Sequence, residues 1–363
     1  MLPLAPGVVL KVTTFDRIPA TARVPLSLLD RANTRRRGGV AVEPSQILAD
    51  VITRAQAAEA LGFHRFWVAE HHAVPGIAGS APTVLMAALA ARTERIRIGS
   101  GGIMLPDHQP LVMAEQIATL QALAPGRIDA GLGSSVGFTA PVPRALRQDD
   151  SARFDAGDQA RELIAYLDDR HDDGAEVTAQ PADRSQTPLF VLASSRSIPL
   201  AAQLGTGVVV GGPGLMAAAR DADPGEHHEG IATYRRDFVP SEHRRQAPWV
   251  VVAVSVAVAD KAEDAAQLAL PEAWALTRSR TVGSFEPLQP VDELDLAGLS
   301  DRERRRLHEH LDQVITGTPD QVREQLERLI DFAGADEVLV SGGMADPAAQ
   351  RRSDELLAQV WGV

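Results

Sequence analysis

The sequence predicts an α/β protein, a (β/α)8 (TIM) barrel with an insertion between strands 7 and 8. Three observations carry that prediction. Short β-branched and aliphatic runs alternate with longer helical patterns along the 363 residues. The strand runs are continuously apolar, as expected for a parallel sheet covered by helices rather than one with a wet face. Eight such units in a chain of this length favour a closed barrel over an open doubly wound sheet.

The elements follow in order. A first strand over 24–30 precedes a helix from Gln46 to Leu61, whose Ile47, Val51, Ala55 and Ala58 share one face; Gly62 stops it. Strand 65–69, a helix from Pro82 to Arg92 and strand 96–100 come next. Pro110 opens a helix that ends before Pro125-Gly126, because proline suits a first turn and not a helix interior. Strand 127–132 and a helix over 153–167 close the first half. The second half runs strand 189–193, helix 198–204, strand 207–210, a long helical stretch over 215–238 and strand 249–259. The last unit is a helix over 319–332, strand 337–341 and a helix over 347–360. Residues 1–23 read as an N-terminal extension, 24–363 as a single barrel domain, and 260–312 as an irregular, partly helical insertion.

Composition narrows the function. The net charge of −12 argues against nucleic acid or an anionic membrane surface as partner. The absence of cysteine removes disulfides, thiolate metal sites and cysteine nucleophiles, and fits a cytoplasmic protein. Lys11 and Lys261 are the only lysines, so Schiff-base chemistry has few candidates. No stretch approaches the roughly 20 apolar residues of a membrane span, and the apolar start lacks the basic region of a signal peptide.

In a barrel of this type the chemistry sits where strands end. The second strand ends in Glu70-His71-His72, and a histidine there can act as base or acid near neutral pH. His72 reads equally well as a structural donor. A metal centre is not expected, because adjacent strand residues point to opposite faces and a third ligand is wanting; His227-His228 lacks an apolar frame. Ser100-Gly101-Gly102 ends the third strand, where glycines admit a flat ligand or merely a tight turn. His108 follows it. The Gly131-x-Gly133 run lacks the helix that a dinucleotide loop requires. Ser194, Ser195, Arg196 and Ser197 precede a helix, a place for a phosphate or for ordinary N-capping.

Gly62-Phe63-x-Arg65-Phe66-Trp67-Val68-Ala69-Glu70-His71-His72, Ile98-Gly99-Ser100-Gly101-Gly102-Ile103-Met104-Leu105-Pro106-x-His108-x-Pro110, Ala114-Glu115-Gln116 and Pro125-Gly126-Arg127 together resemble the bacterial luciferase-like flavin monooxygenases. Ala201-Ala202-Gln203, Gly317-Thr318-Pro319 and Gly334-Ala335-Asp336-Glu337 extend the likeness. The resemblance implies reduced FMN as cofactor, a separate flavin reductase, a small organic substrate, O2 as oxidant and often a homodimer. It makes His71 the base beside the flavin and Glu70, Ser100, Gly101, Gly102, Ser134, Ser194, Ser195, Arg196 and Ser197 the cofactor contacts, with a non-prolyl cis peptide at Gly101-Gly102. His72, His108, Trp274, Arg278 and Phe285 would shape the substrate pocket. The family usually carries an arginine for the flavin phosphate where this chain has Ser134; Arg196, Arg144 or Arg147 are candidates to replace it. The deazaflavin F420 is the alternative cofactor, and a non-catalytic flavin-binding or partner-stabilising barrel the alternative role.

Overall fold

A computed structural model describes residues 23–135, 141–146, 155–168, 177–181, 187–193, 197–223, 225–241 and 245–363. In chain order its strands are β1 (Leu26–Asp30), β2 (Arg36–Arg37), β3 (Val40–Ala41), β4 (Arg65–Val68), β5 (Arg97–Met104), β6 (Ile128–Gly133), β7 (Leu189–Ala193), β8 (Gly207–Gly211), β9 (Val250–Val258), β10 (Val314–Gly317) and β11 (Glu337–Ser341). The helices are α1 (Pro44–Leu61), α2 (Pro82–Ala90), α3 (Pro110–Leu123), α4 (Pro141–Ala145), α5 (Ala156–Asp168), α6 (Ile198–Leu204), α7 (Pro213–Asp221), α8 (Glu229–Asp237), α9 (Ala262–Val282), α10 (Asp301–Leu311), α11 (Pro319–Ala333) and α12 (Pro347–Trp361).

Parallel pairing runs β1-β4-β5-β6-β7-β8-β9-β11 and returns from β11 to β1, so the sheet closes into the expected eight-stranded barrel. Strand alternation then sorts the side chains. Phe66, Val68, Val208, Val210, Val250, Val252, Val338 and Val340 pack outward against the helices, while Trp67, Phe190, Val209, Val251 and Leu339 fill the barrel. Trp67 and Phe190 meet edge to face at 5.1 Å. Gly99 makes room for this, since a Cβ there would run into the Trp67 indole.

Below that apolar layer the barrel floor is ionic. Buried Arg65 reaches Asp129 at 2.5 Å and Glu337 at 2.9 Å, Arg97 also engages Asp129 at 2.5 Å, and Trp249 Nε1 donates to Glu337 at 3.0 Å. Burial opposes ionisation of Asp129, but the Arg65 and Arg97 guanidiniums outweigh it and hold the carboxyl down to about 2. Because this value lies below that of an unfolded aspartate, Asp129 adds stability that is complete above about pH 4 and is lost as the pH falls toward 2. Urea midpoints measured from pH 5 down to pH 2 should therefore drop across that window. In Asp129→Asn the drop should be shallower, on an already less stable protein.

Several elements depart from the sequence reading. The stretch over 215–238 splits into α7 and α8, consistent with Pro224-Gly225 between them. The insertion is mostly regular: α9 runs 21 residues despite Pro271 inside it, and α10 carries a capping box from Ser300 and Glu303. Two features were too short for periodicity to reveal: the β2–β3 hairpin, turning on Gly38 and Gly39 in left-handed conformation, and β10. Ser255 of β9 pairs with Ser341 on one edge and Val314 of β10 on the other, so β10 takes over the edge that β8 leaves at Ala253. Among the described residues no helix is long and apolar enough to cross a membrane.

Candidate active site

Toward the C-terminal mouth of the barrel the inward side chains become small. Gly101, Gly131, Gly133, Gly211 and Ala253 occupy positions that lower layers fill with Trp67, Phe190 and Val251. The Gly101-Gly102 peptide is cis. Gly102 is required sterically, since a Cβ there would lie 2.8 Å from the Gly131 carbonyl, whereas one on Gly101 would meet the movable end of the Leu29 side chain at 2.8 Å. Gly102→Ala should cost about 1–3 kcal/mol through overpacking, because the obstacle is backbone; a chemical melt of the variant measures it.

Beside these glycines stands a carboxylate–imidazole cluster. The Glu70 side chain is fully buried, and one oxygen accepts from His72 Nε2 at 2.8 Å and from His108 Nε2 at 2.7 Å. Its other oxygen accepts the Met104 backbone N–H at 2.8 Å. Burial disfavours the Glu70 anion, but the hydrogen bonds from His108, Met104 and His72 outweigh it and lower the carboxyl below its ordinary value. An ionised carboxylate only accepts, so both imidazoles present Nε2–H to it. Asp107 supplies a third acidic or imidazole ligand atom, which the sequence reading had not placed: Glu70, His72 and Asp107 lie within 4.8 Å of one another. At these distances Glu70, His72 and His108 form a hydrogen-bonded cluster with Asp107 at its edge.

His71 turns the other way, as alternation requires. Its backbone N–H donates to Gly79 at 2.9 Å, and its ring lines a cavity of about 230 Å³ together with Arg31, Leu276, Arg280, Phe285 and His310. Burial and the nearby Arg31 charge push His71 down to about 4. The imidazole is therefore neutral through the physiological range and able to accept a proton.

The expected site residues separate into three groups. His71 and Phe285 meet at the cavity, while Glu70, His72 and His108 meet in the cluster behind it. Ser134 stands exposed at the end of β6, Ser197 sits at the N-cap of α6, and Arg144 is exposed on α4. Ser194, Ser195, Arg196 and Arg147 lie outside the described residues. Others are placed away from the cavity. Ser100, expected on the cofactor, is wholly buried and exchanges hydrogen bonds with the Gly131 backbone at 3.0 and 3.1 Å, so it offers no surface to a ligand. Glu70 is likewise buried, its oxygens taken by His72, His108 and the Met104 N–H. Trp274 and Arg278, expected in the pocket, face α10 instead: Trp274 packs with Leu299 and Leu307, and Arg278 pairs with Glu303 at 2.9 Å. The cavity face of α9 is the one carrying Leu276, Ser279, Arg280 and Gly283, spaced at three to four residues.

Arg31, Arg280 and His310 were missed from sequence. Arg31 follows the end of β1 and pairs with Glu272 of α9, a contact between positions far apart in sequence and without a local signal. The strand-end rule alone would have marked Arg31.

A closed parallel barrel with convergent ionisable groups at its C-terminal mouth is an enzyme architecture. The chain belongs to the luciferase-like monooxygenase family, whose model matches residues 32–337. It is 36% identical to the Bacillus subtilis (strain 168) protein YvbT over 329 residues, 90% of this chain and 93% of that one. It is also 36% identical to a luciferase-like monooxygenase of Escherichia coli (strain K12) over 310 residues, 84% of this chain and 89% of the relative. Among solved structures, apo-MsnO8 superposes with a TM-score of 0.76 at 33% identity, covering 93% of this chain and 98% of its own. The fold alone is shared with more distant structures. One is the oxygenating constituent of 3,6-diketocamphane monooxygenase of Pseudomonas putida in complex with FMN (TM-score 0.63, 18% identity, 93% of this chain and 97% of that one). Another is an F420-dependent secondary alcohol dehydrogenase (0.61, 14%, 93% and 98%).

Proposed function

We propose that this protein is a flavin-dependent monooxygenase that uses reduced FMN and O2 to place one oxygen atom in a small organic substrate, with a separate reductase supplying the flavin. The observation that carries the reading is the position of His71: a neutral imidazole on a cavity that its ring shares with Arg31 and Phe285 beside the barrel mouth. The glycines of β5, β6 and β8 carry no side chain of their own, which favours a flat ring at this mouth, where Leu29, Leu192 and Met104 are among the neighbouring side chains. Bound flavin would supply the electrons that activate O2. The chain's own part is to orient, to exclude water and to move a proton. His71 accepts or returns that proton at its ring. Glu70, with His72 and His108, fixes the segment that presents His71 and is a positioning group. Ser194, Ser195, Arg196 and Ser197 are proposed to hold the phosphate, with Ser134 adding a neutral contact. A homodimer is proposed as the working form.

Anaerobic titration with reduced FMN and with reduced F420 tests the cofactor. The reading expects FMN to bind the more tightly and, with a reductase and O2 present, to support oxygen transfer to substrate. Tighter binding of F420, with hydride transfer and no oxygen incorporated, would replace this reading with that of a deazaflavin oxidoreductase. Binding without turnover alongside every reductase tried would favour a non-catalytic barrel.

A further inference from the structure

The cavity beside His71 differs in charge from the rest of the molecule. The protein carries a net charge of −12, yet among the described residues the cavity lining contains Arg31, Arg280, His71 and His310 and no aspartate or glutamate. Arg31 is balanced from outside that lining by Glu272, whose other oxygen accepts the Gly343 N–H at 2.6 Å. Arg280 stands exposed at the rim and makes no ion pair among the described residues. His310, pushed down by burial and by the Arg280 charge, lines the cavity as well. The remaining wall is apolar: Val74, Pro75, Ile77, Leu276 and Phe285. A concave site with an apolar wall and one uncommitted cation at its edge selects for charge at one end of a ligand and hydrocarbon at the other.

We infer that the cavity takes an amphipathic organic carboxylate, with Arg280 holding the carboxylate at the rim and the Phe285 side holding the chain toward His71. That this carboxylate is the oxidised substrate rests on the flavin monooxygenase reading; its binding does not.

Isothermal titration of the purified chain without flavin, using octanoate and 1-octanol, separates charge from hydrocarbon. Octanoate is expected to bind about 5-fold more tightly, the contribution of one ion pair at a solvent-exposed rim. Arg280→Gln should remove most of that advantage and leave 1-octanol unchanged, while Arg280→Lys should keep part of it. Phe285→Ala should weaken both ligands alike, which places them in this cavity. Equal affinities in the wild type, an unchanged ratio in Arg280→Gln, or no effect of Phe285→Ala on either ligand would overturn the inference. An FMN titration of the same preparation keeps the two readings apart. Octanoate preference without flavin binding sinks the monooxygenase and spares the cavity; flavin binding without the preference does the reverse.

Discussion

Arg65→Leu should lower the unfolding free energy by about 3–5 kcal/mol, because it strips the shared cation from two buried carboxylates. Asp129 and Glu337 are both wholly inaccessible to solvent, and neither can hydrate once Arg65 is gone. Arg97 still reaches Asp129, so the larger share of the loss falls on Glu337, left with Ser27 and Trp249 as hydrogen-bond donors. The same charges set the direction of the effect: Arg65 is raised above its ordinary value because the pull of Asp129 and Glu337 exceeds the cost of its burial. Urea denaturation at pH 7, with an unchanged m-value, is the measurement. Adding Glu337→Gln to Arg65→Leu should recover part of the stability, since an unpaired neutral amide costs less than an unpaired anion. A loss below about 1 kcal/mol in the single variant would mean that the floor tolerates the exposed charge, as surface sites do.

The second large effect falls on turnover. With His71 as the proton-transferring group, His71→Ala should reduce kcat by about 10²–10⁴-fold, the usual contribution of a positioned acid or base. Flavin affinity should change far less. The wild-type pH profile carries an independent mark. Because burial and Arg31 hold His71 near 4, the base is already deprotonated at pH 5, and kcat/KM should fall on the acid side only as the pH approaches about 4. An acid limb at pH 6–7 that is lost in His71→Ala would contradict the buried, neutral imidazole. Comparison with Glu70→Gln separates contact from positioning: that variant should lower kcat while leaving the apparent pKa of the acid limb close to 4.

Much of the architecture was legible because it rests on local pattern. The alternation of continuously apolar strands with amphipathic helices identified all eight barrel strands, and Gly62, Pro82, Pro110 and Pro319 marked helix ends within a few residues. The resemblance implies a cis peptide at Gly101-Gly102, and the structure contains it. What sequence could not supply was facing and distance. Trp274 and Arg278 lie in the right helix on the wrong side of it, a matter of about 100° per residue that only the placement of α10 decides. The grouping of Asp107 with Glu70 and His72, the pairing of Arg31 with Glu272 and the convergence of Arg65, Asp129 and Glu337 join residues 35 to 272 positions apart, which no periodicity encodes. Strand β10 escaped notice because four residues, Val314–Gly317, are too few to establish a period.

Helix α9 bears two unrelated duties on opposite sides. Trp274, Arg278 and Thr281 anchor it to α10, Thr281 through Glu303 at 3.0 Å, while Leu276, Ser279 and Arg280 look into the cavity. Replacements at Leu276, Ser279 and Arg280 leave the anchoring contacts to α10 in place, so the ligand preference proposed for this cavity can change without touching them. A lineage could exchange one small-molecule specificity for another by drift along a single stripe of this helix, without passing through unfolded intermediates. For protein engineering, the same stripe is where a library of variants would sample new substrates at the lowest cost in failed folding.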